Sequence, residues 1–492
     1  MSRFLFFTGI VLINLIFAFQ TSAQETGQPG TLTLNDCIAI AQDKSPVAKA
    51  AKYALIASKW RYKSFQAELL PSFSLSGNAP NFNKNIFSNV LDDGRVTFSS
   101  RTQSEASASL SLNQNITATG GSISVTSGIS RLGVFANENT YLWSSTPLVL
   151  GLNQPIFDFN RLKWQKRLEP LQYRIAKKEY AEEMEDIALT VTQRFFDTYL
   201  ARINLENARF NVTRNDSIYN ISRGRYNVGS IAENDLLQAE LALRNAEANL
   251  TDARIAYNRS LNEFKILLGF STDKQVTLAE PPVLEDVSVD SEKAVTLAFQ
   301  NSSEALNYEL NERRAHRDLD QAKSDASFNA TLSAQYGLNQ TSGDFSNLYD
   351  DPQNRQFITV GFDVPIFNWG KNRAQINAAK NQQQEVANSI DYQRDRFTQR
   401  VRYTVNRFSQ LRNQVLLAKK SDEIARRRYN VAQNRYMIGK IDITNLFIAQ
   451  NEKDSARQSY IQALRNYWTG WFELRRLTLY DFRKDRPITH QF

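Results

Sequence analysis

Apolar residues recur at three- and four-residue intervals over two very long stretches of this 492-residue chain. Between Asn160 and Asn227 the only helix-breaking residue types are Pro170 and Gly224. This spacing predicts amphipathic helix, and at 1.5 Å per residue a helix of about 67 residues is about 100 Å long. The periodic positions are Met184, Ile187, Val191, Phe195, Tyr199 and Ile203, and later Val401, Val405, Phe408, Leu411, Val415 and Ala418. The pattern therefore predicts two helical rods that are too long for a compact globular domain.

A seven-residue repeat follows each rod. Gly229 and Gly439 stand where a residue with positive φ would reverse the chain. The repeated positions are Leu236, Leu243, Leu250, Tyr257 and Phe264 with Ala239, Ala246, Ala253, Ser260 and Leu267, and in the copy Ala449, Ala456, Ala463 and Gly470 with Tyr460, Tyr467 and Leu474. Heptads with small residues along one seam indicate close packing on a partner helix. An ordinary solvent-facing helix is the alternative.

Other segments alternate apolar or small residues with polar ones at period two. They are PSFSLSG, SASLSLNQNI, GSISVTSGIS, PLVLGLNQPIF, ATLSAQYGL and FITVGFDVPIF. At about 7 to 12 residues, each has the length of a tilted transmembrane strand. A soluble β-sandwich would show the same alternation, but the attached long helices favour membrane strands.

The two halves of the chain are copies of one another. NQPIFDFNR returns as DVPIFNWGK, and YNVGSI returns as YMIGKI, in both cases 210 residues later. LTLNDCIAIAQDKSP has a looser copy in VSVDSEKAVTLAFQNSS, at an offset of about 257. Helices of similar length are expected from about Asn35 to Leu70 and from about Ser291 to Ser324. A fixed offset marks an internal duplication.

This duplication predicts the domain organisation. The expected units are a signal peptide at 1–23, a first repeat at 24–270 with strands within 71–157, a linker at 271–288, a second repeat at 289–478 with strands within 328–367, and a C-terminal tail at 479–492. Each repeat consists of a short helix, strands, a long helix, a hairpin and a return helix.

The first residues predict export. Arg3 precedes an apolar run of about 16 residues and the small-residue site Thr21–Ala23, which is typical of a secretory signal peptide. No later run reaches the 18 apolar residues of a membrane helix. A membrane-embedded part would therefore be a β-barrel.

The composition excludes several classes of function. The chain has one cysteine and two histidines, so it cannot form an intramolecular disulfide, and a zinc site or catalytic triad would lack ligands or bases. Cys37 is expected to be a small buried side chain. The net charge of +8 comes from 59 basic and 51 acidic residues without a dense basic run, so nucleic acid is not an expected partner. We predict no enzyme activity, no catalytic or metal-binding residues and no cofactor.

The repeated Pro-Ile-Phe segments predict a junction between strand and helix. Pro155 and Pro365 would each end a strand and start a long helix, because proline lacks an N–H for the ladder and suits the first helical turn. The aromatic residues that follow would form a girdle at the membrane boundary. They are Phe157, Phe159, Phe367 and Trp369. Packing in an ordinary core is the alternative for these side chains.

The tandem halves, ELLPSFSLSG, QPIFDFN and the hairpin YNVGSIAENDLLQAELALRNAEANL resemble the TolC-type outer-membrane channels over essentially the whole mature chain. The resemblance implies a mixed α+β fold: a trimeric outer-membrane β-barrel continued by a long periplasmic α-helical coiled-coil barrel. It implies a passive exit duct of a tripartite efflux pump or type I secretion system in the outer membrane of a Gram-negative bacterium. A periplasmic coiled-coil scaffold or an adhesin without transport is the alternative.

The resemblance also implies partners and contact residues. The expected partners are two further copies in a homotrimer, outer-membrane lipids, a periplasmic membrane-fusion adaptor protein and an inner-membrane RND or ABC transporter. The hairpin tips would contact the adaptor through Tyr226, Gly229, Ser230, Tyr436, Gly439 and Lys440. The tunnel entrance would include Glu233, Asp235, Asp442 and Asn445. Some relatives carry aspartates at the tunnel entrance, at positions that correspond here to Asn445 and Ile448. This chain departs from those relatives, so the resemblance does not carry over an acidic entrance.

An insertion of about 45 residues before Pro155 leaves the number of strands open. Gly120 and Gly121 predict a tight reversal between two alternating segments, with Phe82–Phe98 and Gly133–Thr146 as outer loops. The insertion would either add a hairpin to the membrane wall, for about 18 strands in a trimer, or lie outside the wall of a 12-strand barrel.

Overall fold

The computed structural model describes residues 31–135, 138–283 and 287–490. The predicted signal peptide at 1–23 lies outside the described residues. The first half contains β1 (Thr31–Leu32), α1 (Leu34–Lys44), α2 (Pro46–Glu68), β2 (Ser72–Val90), β3 (Val96–Asn115), β4 (Ser122–Phe135), β5 (Thr140–Ile156), α3 (Arg161–Asn227) and α4 (Glu233–Leu267).

The second half repeats this order with two strands fewer between its helices. It contains β6 (Thr277–Leu278), α5 (Ser291–Asn301), α6 (Ser303–Asp325), β7 (Asn329–Ser342), β8 (Gln353–Asp363), α7 (Lys371–Met437) and α8 (Ile443–Thr478). The tail adds β9 (Tyr480–Asp481) and β10 (Arg486–Pro487).

The two long rods are confirmed, since α3 and α7 each have 67 residues. α3 packs against α4 and α8, and α8 packs against α7, so the four helices lie in the order α4, α3, α8, α7. Nearer the strands, α2 and α6 flank α3, and α6 also packs against α7. The helices therefore form one layer with α7 at one edge.

Each short helix before the strands is broken, where the periodicity predicted one continuous helix. Ser45 ends α1 and caps α2, because Pro46 cannot continue the preceding helix, and its side chain accepts a hydrogen bond from the Ala48 N–H at 3.0 Å. The second break has no proline. There Glu182 of α3 accepts hydrogen bonds from the backbone N–H and the hydroxyl of Ser303, both at 2.6 Å. The breaks at Ser45 and Ser302 are 257 residues apart, which is the offset predicted for this part of the duplication.

Six strands form one antiparallel sheet in the order β2, β3, β4, β5, β7, β8. The predicted outer loops are mostly wrong. Phe82–Phe98 is largely strand, because β2 continues to Val90 and β3 begins at Val96, and Gly133–Thr146 includes the ends of β4 and β5. The strand pattern was hidden there because these asparagine-rich segments do not alternate regularly between polar and apolar residues.

The main core lies where α1 packs against α3 and α5 packs against α7 and α8. Phe195, Tyr199 and Trp471 are among its buried aromatic residues, and the rings of Phe195 and Phe264 meet edge to face at 6.2 Å. Cys37 is fully buried in α1, as predicted. Among the described helices, none is both long and apolar enough to cross a membrane.

Candidate functional site

Both hairpin tips end in the same hydrogen-bonded turn. At the end of α3 the N–H of Gly229 donates to the Tyr226 carbonyl at 2.9 Å, and the N–H of Ser230 donates to the Arg225 carbonyl at 2.8 Å. This pair of bonds is the Schellman motif, which needs a left-handed residue after the helix. Gly229 supplies it with φ 69°. The predicted positive φ is therefore confirmed at this tip.

The tip after α7 repeats these bonds. Gly439 donates to the Tyr436 carbonyl at 2.9 Å and Lys440 donates to the Arg435 carbonyl at 2.8 Å, and Gly439 has φ 72°. A side chain at either glycine would meet open space. Backbone conformation, rather than crowding, explains why glycine stands here.

The two tips are fastened to one another by a residue that sequence analysis missed. The Arg225 guanidinium donates to the carbonyls of Tyr436 at 3.2 Å and Met437 at 2.9 Å, and it lies 5.2 Å from the centre of the Tyr436 ring. The Ser222 and Tyr436 hydroxyls are 2.9 Å apart. A signal was available, because Arg225 returns as Arg435 at the 210-residue offset.

The six residues predicted to contact an adaptor divide by exposure. Gly229, Ser230, Gly439 and Lys440 are exposed, and Tyr226 is 40% exposed. Tyr436 is buried in a small cluster with Tyr429, Ile443 and Leu446, so its side chain joins the two tips of this chain.

Two of the four predicted entrance residues, Asp235 and Asp442, line the cleft between the tips, whereas Glu233 and Asn445 do not. This cleft has a volume of about 250 Å³, and Asp235 and Asp442 are among the residues that line it, with Arg225. Asp442 caps α8 by accepting hydrogen bonds from the Asn445 N–H at 2.7 Å and from the Asn445 side chain at 3.0 Å. Glu233 is exposed in the first turn of α4.

The predicted role of the two prolines in starting the long helices is wrong. α3 begins at Arg161 and α7 begins at Lys371, six residues after Pro155 and Pro365 respectively. Pro155 lies within β5, paired with Thr331. The helix α3 is started instead by Asn160, whose side chain accepts a hydrogen bond from the Lys163 N–H at 2.9 Å.

The aromatic residues of the junction lie at the exposed surface of the single chain. Phe157 is 71% exposed and Trp369 is 90% exposed, and both have left-handed backbones. Phe367 meets Trp369 edge to face at 4.8 Å, while Phe159 is half-buried. These exposures do not fit the alternative of an ordinary core.

A buried charge cluster ties the C-terminal tail to α3. Glu185 is fully buried and accepts hydrogen bonds from Arg475 at 2.9 and 3.0 Å, and the Nε2 atom of His490 lies 3.3 Å from its carboxylate. Burial acts to raise the pKa of Glu185, but the hydrogen bond with His490 and the charge of Arg475 outweigh it and hold this pKa below its ordinary value. Glu185 is therefore an anion that pins the tail.

A second cluster ties the linker to α3 and α8. Glu280 accepts hydrogen bonds from the Tyr199 hydroxyl at 2.9 Å and from Arg457 at 2.8 Å. Burial acts to raise the pKa of Glu280, and these hydrogen bonds lower it to below its ordinary value. Sequence analysis missed both clusters, because their members lie far apart in the chain.

Polar side chains also fill the groove between α3, α4 and α8. The groove has a volume of about 440 Å³, and its lining residues include Asn204, Asn211, Asn245, Asn249 and Asp454. Asn211 donates to the Asp454 carboxylate at 3.0 Å. The seam between α3, α4 and α8 is therefore lined in part by polar side chains rather than being continuously apolar.

The family model described as "Outer membrane efflux protein" matches residues 122–269 and 295–478. The Cation efflux system protein CusC of Escherichia coli (strain K12) is 24% identical over 237 residues, which are 47% of this chain and 50% of that relative. The chain thus spans about half the length of the curated relatives that it matches.

Solved structures share the fold over most of the chain. The CmeC outer membrane channel of Campylobacter jejuni has a TM-score of 0.66 at 16% identity, covering 93% of this chain and 87% of that chain. The outer membrane protein VceC of Vibrio cholerae has a TM-score of 0.64 at 13% identity, covering 90% of this chain and 95% of that chain. These similarities confirm the predicted fold class.

Proposed function

Because the chain belongs to the outer membrane efflux protein family, we propose that it is the outer-membrane exit duct of a tripartite efflux pump or a type I secretion system. It would lie in the outer membrane of a Gram-negative bacterium and extend into the periplasm. Substrates would pass through it passively, without chemistry on the way.

The observation that carries this proposal is an amphipathic sheet joined to 67-residue helices. Ala334 of β7 pairs with Ile358 of β8, and Leu332 pairs with Val360, so one face of the sheet is apolar. The opposite face carries the pair of Ser333 and Thr359 and the pair of Thr331 and Gly361. Apolar residues exposed over a wide sheet require a cover, and lipid is the cover that leaves the polar face to water.

We propose a homotrimer because a single copy leaves two kinds of edge unpaired. The sheet has six strands, and β2 and β8 are its edges. The smallest membrane barrels use about eight strands, and an open edge cannot remain in lipid. The helical layer likewise ends in α4 and α7. Neighbouring copies would pair β8 with β2 and α7 with α4.

The hairpin tips would receive a periplasmic membrane-fusion adaptor, which in turn joins an inner-membrane RND or ABC transporter. Ser230 and Lys440 are exposed at the tips and available to such a partner. Asp235 and Asp442 would face the tunnel entrance. Phe157 and Trp369 would lie at the membrane boundary, where exposed aromatic side chains are favoured.

Selection of the efflux substrate is proposed to lie outside this chain. The relative CusC is named as a cation efflux protein, whereas the groove between α3, α4 and α8 of this chain is lined mostly by uncharged side chains such as Asn204 and Asn249. We therefore propose a duct whose cargo is selected by its partners.

Electrical recording from planar lipid bilayers tests the proposal. The purified full chain should run as a heat-sensitive trimer in mild detergent and should insert to give discrete conductance steps. A periplasmic scaffold would remain soluble without detergent and would leave the bilayer silent. Either of these two results would overturn the exit-duct proposal.

A further inference from the structure

The hairpin of β2 and β3 is extra with respect to the second half of the chain. Four strands stand between α2 and α3, whereas two strands, β7 and β8, stand between α6 and α7. The hairpin also precedes residue 122, where the match to the family model begins. Neither the duplication nor the matched family model accounts for it.

The hairpin nevertheless continues the apolar face of the sheet. One row of paired residues crosses five strands through Phe73, Leu112, Val125, Leu150 and Tyr336. These five residues are all apolar or aromatic, and the member of the row on β8 is Gln356. The apolar face proposed for β7 therefore continues across β5 and β4 onto β3 and β2.

The opposite face of the hairpin is polar in the same register. The neighbouring row runs through Ser72, Asn113, Ser124, Gly151 and Gln335. Because successive residues of a strand point to opposite sides, this row faces away from the apolar one. A hairpin that lay in water on both sides would need no such separation.

The base of the hairpin lies at the helical end of the sheet. The Gln114 side chain donates to the Leu69 carbonyl at 3.0 Å, next to the end of α2. In the turn between β3 and β4, the carbonyls of Thr117 and Ala118 accept hydrogen bonds from Asn160 at 3.1 and 3.2 Å. β2 has 19 residues, about 60 Å at about 3.3 Å per residue, which exceeds the hydrocarbon core of about 30 Å.

The position of β4 decides which strand can meet a neighbouring copy. A strand has two edges for backbone hydrogen bonds. One edge of β4 pairs with β3. This pairing runs from Ser122 opposite Asn115 to Phe135 opposite Thr102, and the other edge of β4 pairs with β5. β4 therefore has no edge left for another copy, whereas β2 has one.

We propose that β2 and β3 are two additional membrane-spanning strands, so that three copies of the six-stranded sheet close a barrel of 18 strands rather than 12. This inference rests on the proposed exit-duct function. Barrel diameter grows roughly in proportion to strand number, so the outer-membrane pore would be about half as wide again as a 12-strand pore. The wider pore would pass correspondingly larger cargo.

The larger barrel also fits the helical layer below it. Twelve helices, four from each copy, spaced about 8 to 10 Å apart, have a circumference of roughly 100 to 120 Å. Strands about 4.8 Å apart and tilted by about 40° give roughly 110 Å for 18 strands and 75 Å for 12. An 18-strand wall can therefore continue the helical wall without narrowing.

Cysteine labelling in proteoliposomes tests the strand assignment. Leu112→Cys and Asn113→Cys sample the two faces of β3, and Tyr336→Cys and Gln335→Cys sample the same two rows on β7. The native Cys37 is buried, and burial raises the pKa of its thiol to about 12, so it stays silent. A charged, water-soluble thiol reagent should modify Asn113→Cys and Gln335→Cys roughly tenfold or more faster than their neighbours, because only a hydrated thiol forms the reactive thiolate.

The β7 pair separates the two possible failures. If β7 alternates and both β3 cysteines react equally fast, the hairpin lies outside the wall and the 18-strand barrel is wrong. If β7 does not alternate, the sheet is not a membrane wall and the proposed function itself fails. Ser109→Cys and Leu110→Cys provide a second β3 pair should either first variant fail to assemble.

Discussion

Glu185 holds a charge at a position where water does not reach. Removing one partner of a buried ion pair costs about 3–5 kcal/mol, because the other charge is left without compensation. Glu185→Gln should therefore lower the melting temperature of the protein at pH 7. The folded-state pKa of Glu185 lies below its ordinary value of 4.5. Its contribution is thus fully present above about pH 4.5 and is lost as the pH falls through the folded pKa.

Melting curves of the two proteins from pH 7 down to pH 3 measure this effect, and their difference should shrink only below about pH 4.5. Glu183→Gln is the matched control on the same helix. Burial, and then the charge of Asp186, raise the pKa of Glu183, so neutralising it should be neutral or slightly stabilising at pH 7. If the Glu185→Gln variant melts at the same temperature as the native protein, Glu185 does not anchor the tail.

At the residue scale, the sequence predicted what local chemistry determines. Gly229 was identifiable because a left-handed turn after a helix selects glycine, and Cys37 because it lies on an apolar helical face. Glu185 and Arg475 were not identifiable, since 290 residues separate them. Periodicity says which face of a helix is buried, but it does not say which distant charge that face meets.

At the scale of elements, uninterrupted periodicity predicted the two long helices correctly. The prolines did not predict the residues at which these helices begin. Pro155 lies in β5 two residues beyond Asn153, the last β5 residue that pairs with β4, so that only β7 pairs with it there. The break before Ser303 could not be predicted either. It depends on Glu182, a side chain from another helix, to satisfy the first N–H of α6.

The tips of α3 and α7 are joined by Arg225, which gives a test of tip closure. Hydrogen bonds from a charged donor contribute about 1.5–3 kcal/mol, so Arg225→Ala should loosen the contact between the tips and raise the conductance of single channels in a planar bilayer. Arg223→Ala is the control, because it removes the same charge from an exposed position two residues earlier. Equal conductance in the Arg225→Ala and native channels would show that this contact does not limit passage.

At the scale of the whole molecule, the two outer helices leave apolar stripes without a partner. Leu417, Ile424 and Val431 are seven residues apart on α7 and all exposed. On α4, Leu241 and Ile255 are exposed at twice this spacing. Heptad stripes of this kind seek a second helix.

The charges of the same two helices are complementary. Basic residues outnumber acidic ones on α7, and acidic residues outnumber basic ones on α4. Such a difference favours contact between unlike helices of neighbouring copies over contact between like helices. It supports a head-to-tail ring, in which α7 of one copy meets α4 of the next and β8 meets β2.

Ile424→Lys tests this closure directly. Ile424 is 56% exposed in the single chain and lies in the middle of the α7 stripe, so in the ring the substitution would bury an unpaired ammonium group once in each interface. An unpaired buried charge costs several kcal/mol, and the trimer should dissociate to monomers in mild detergent, as measured by mass photometry. Asn430→Lys is the matched control, because Asn430 is exposed and, at about 100° per residue, lies about a third of a turn from the stripe. A trimer that survives Ile424→Lys would mean that the copies meet along some other face of α7.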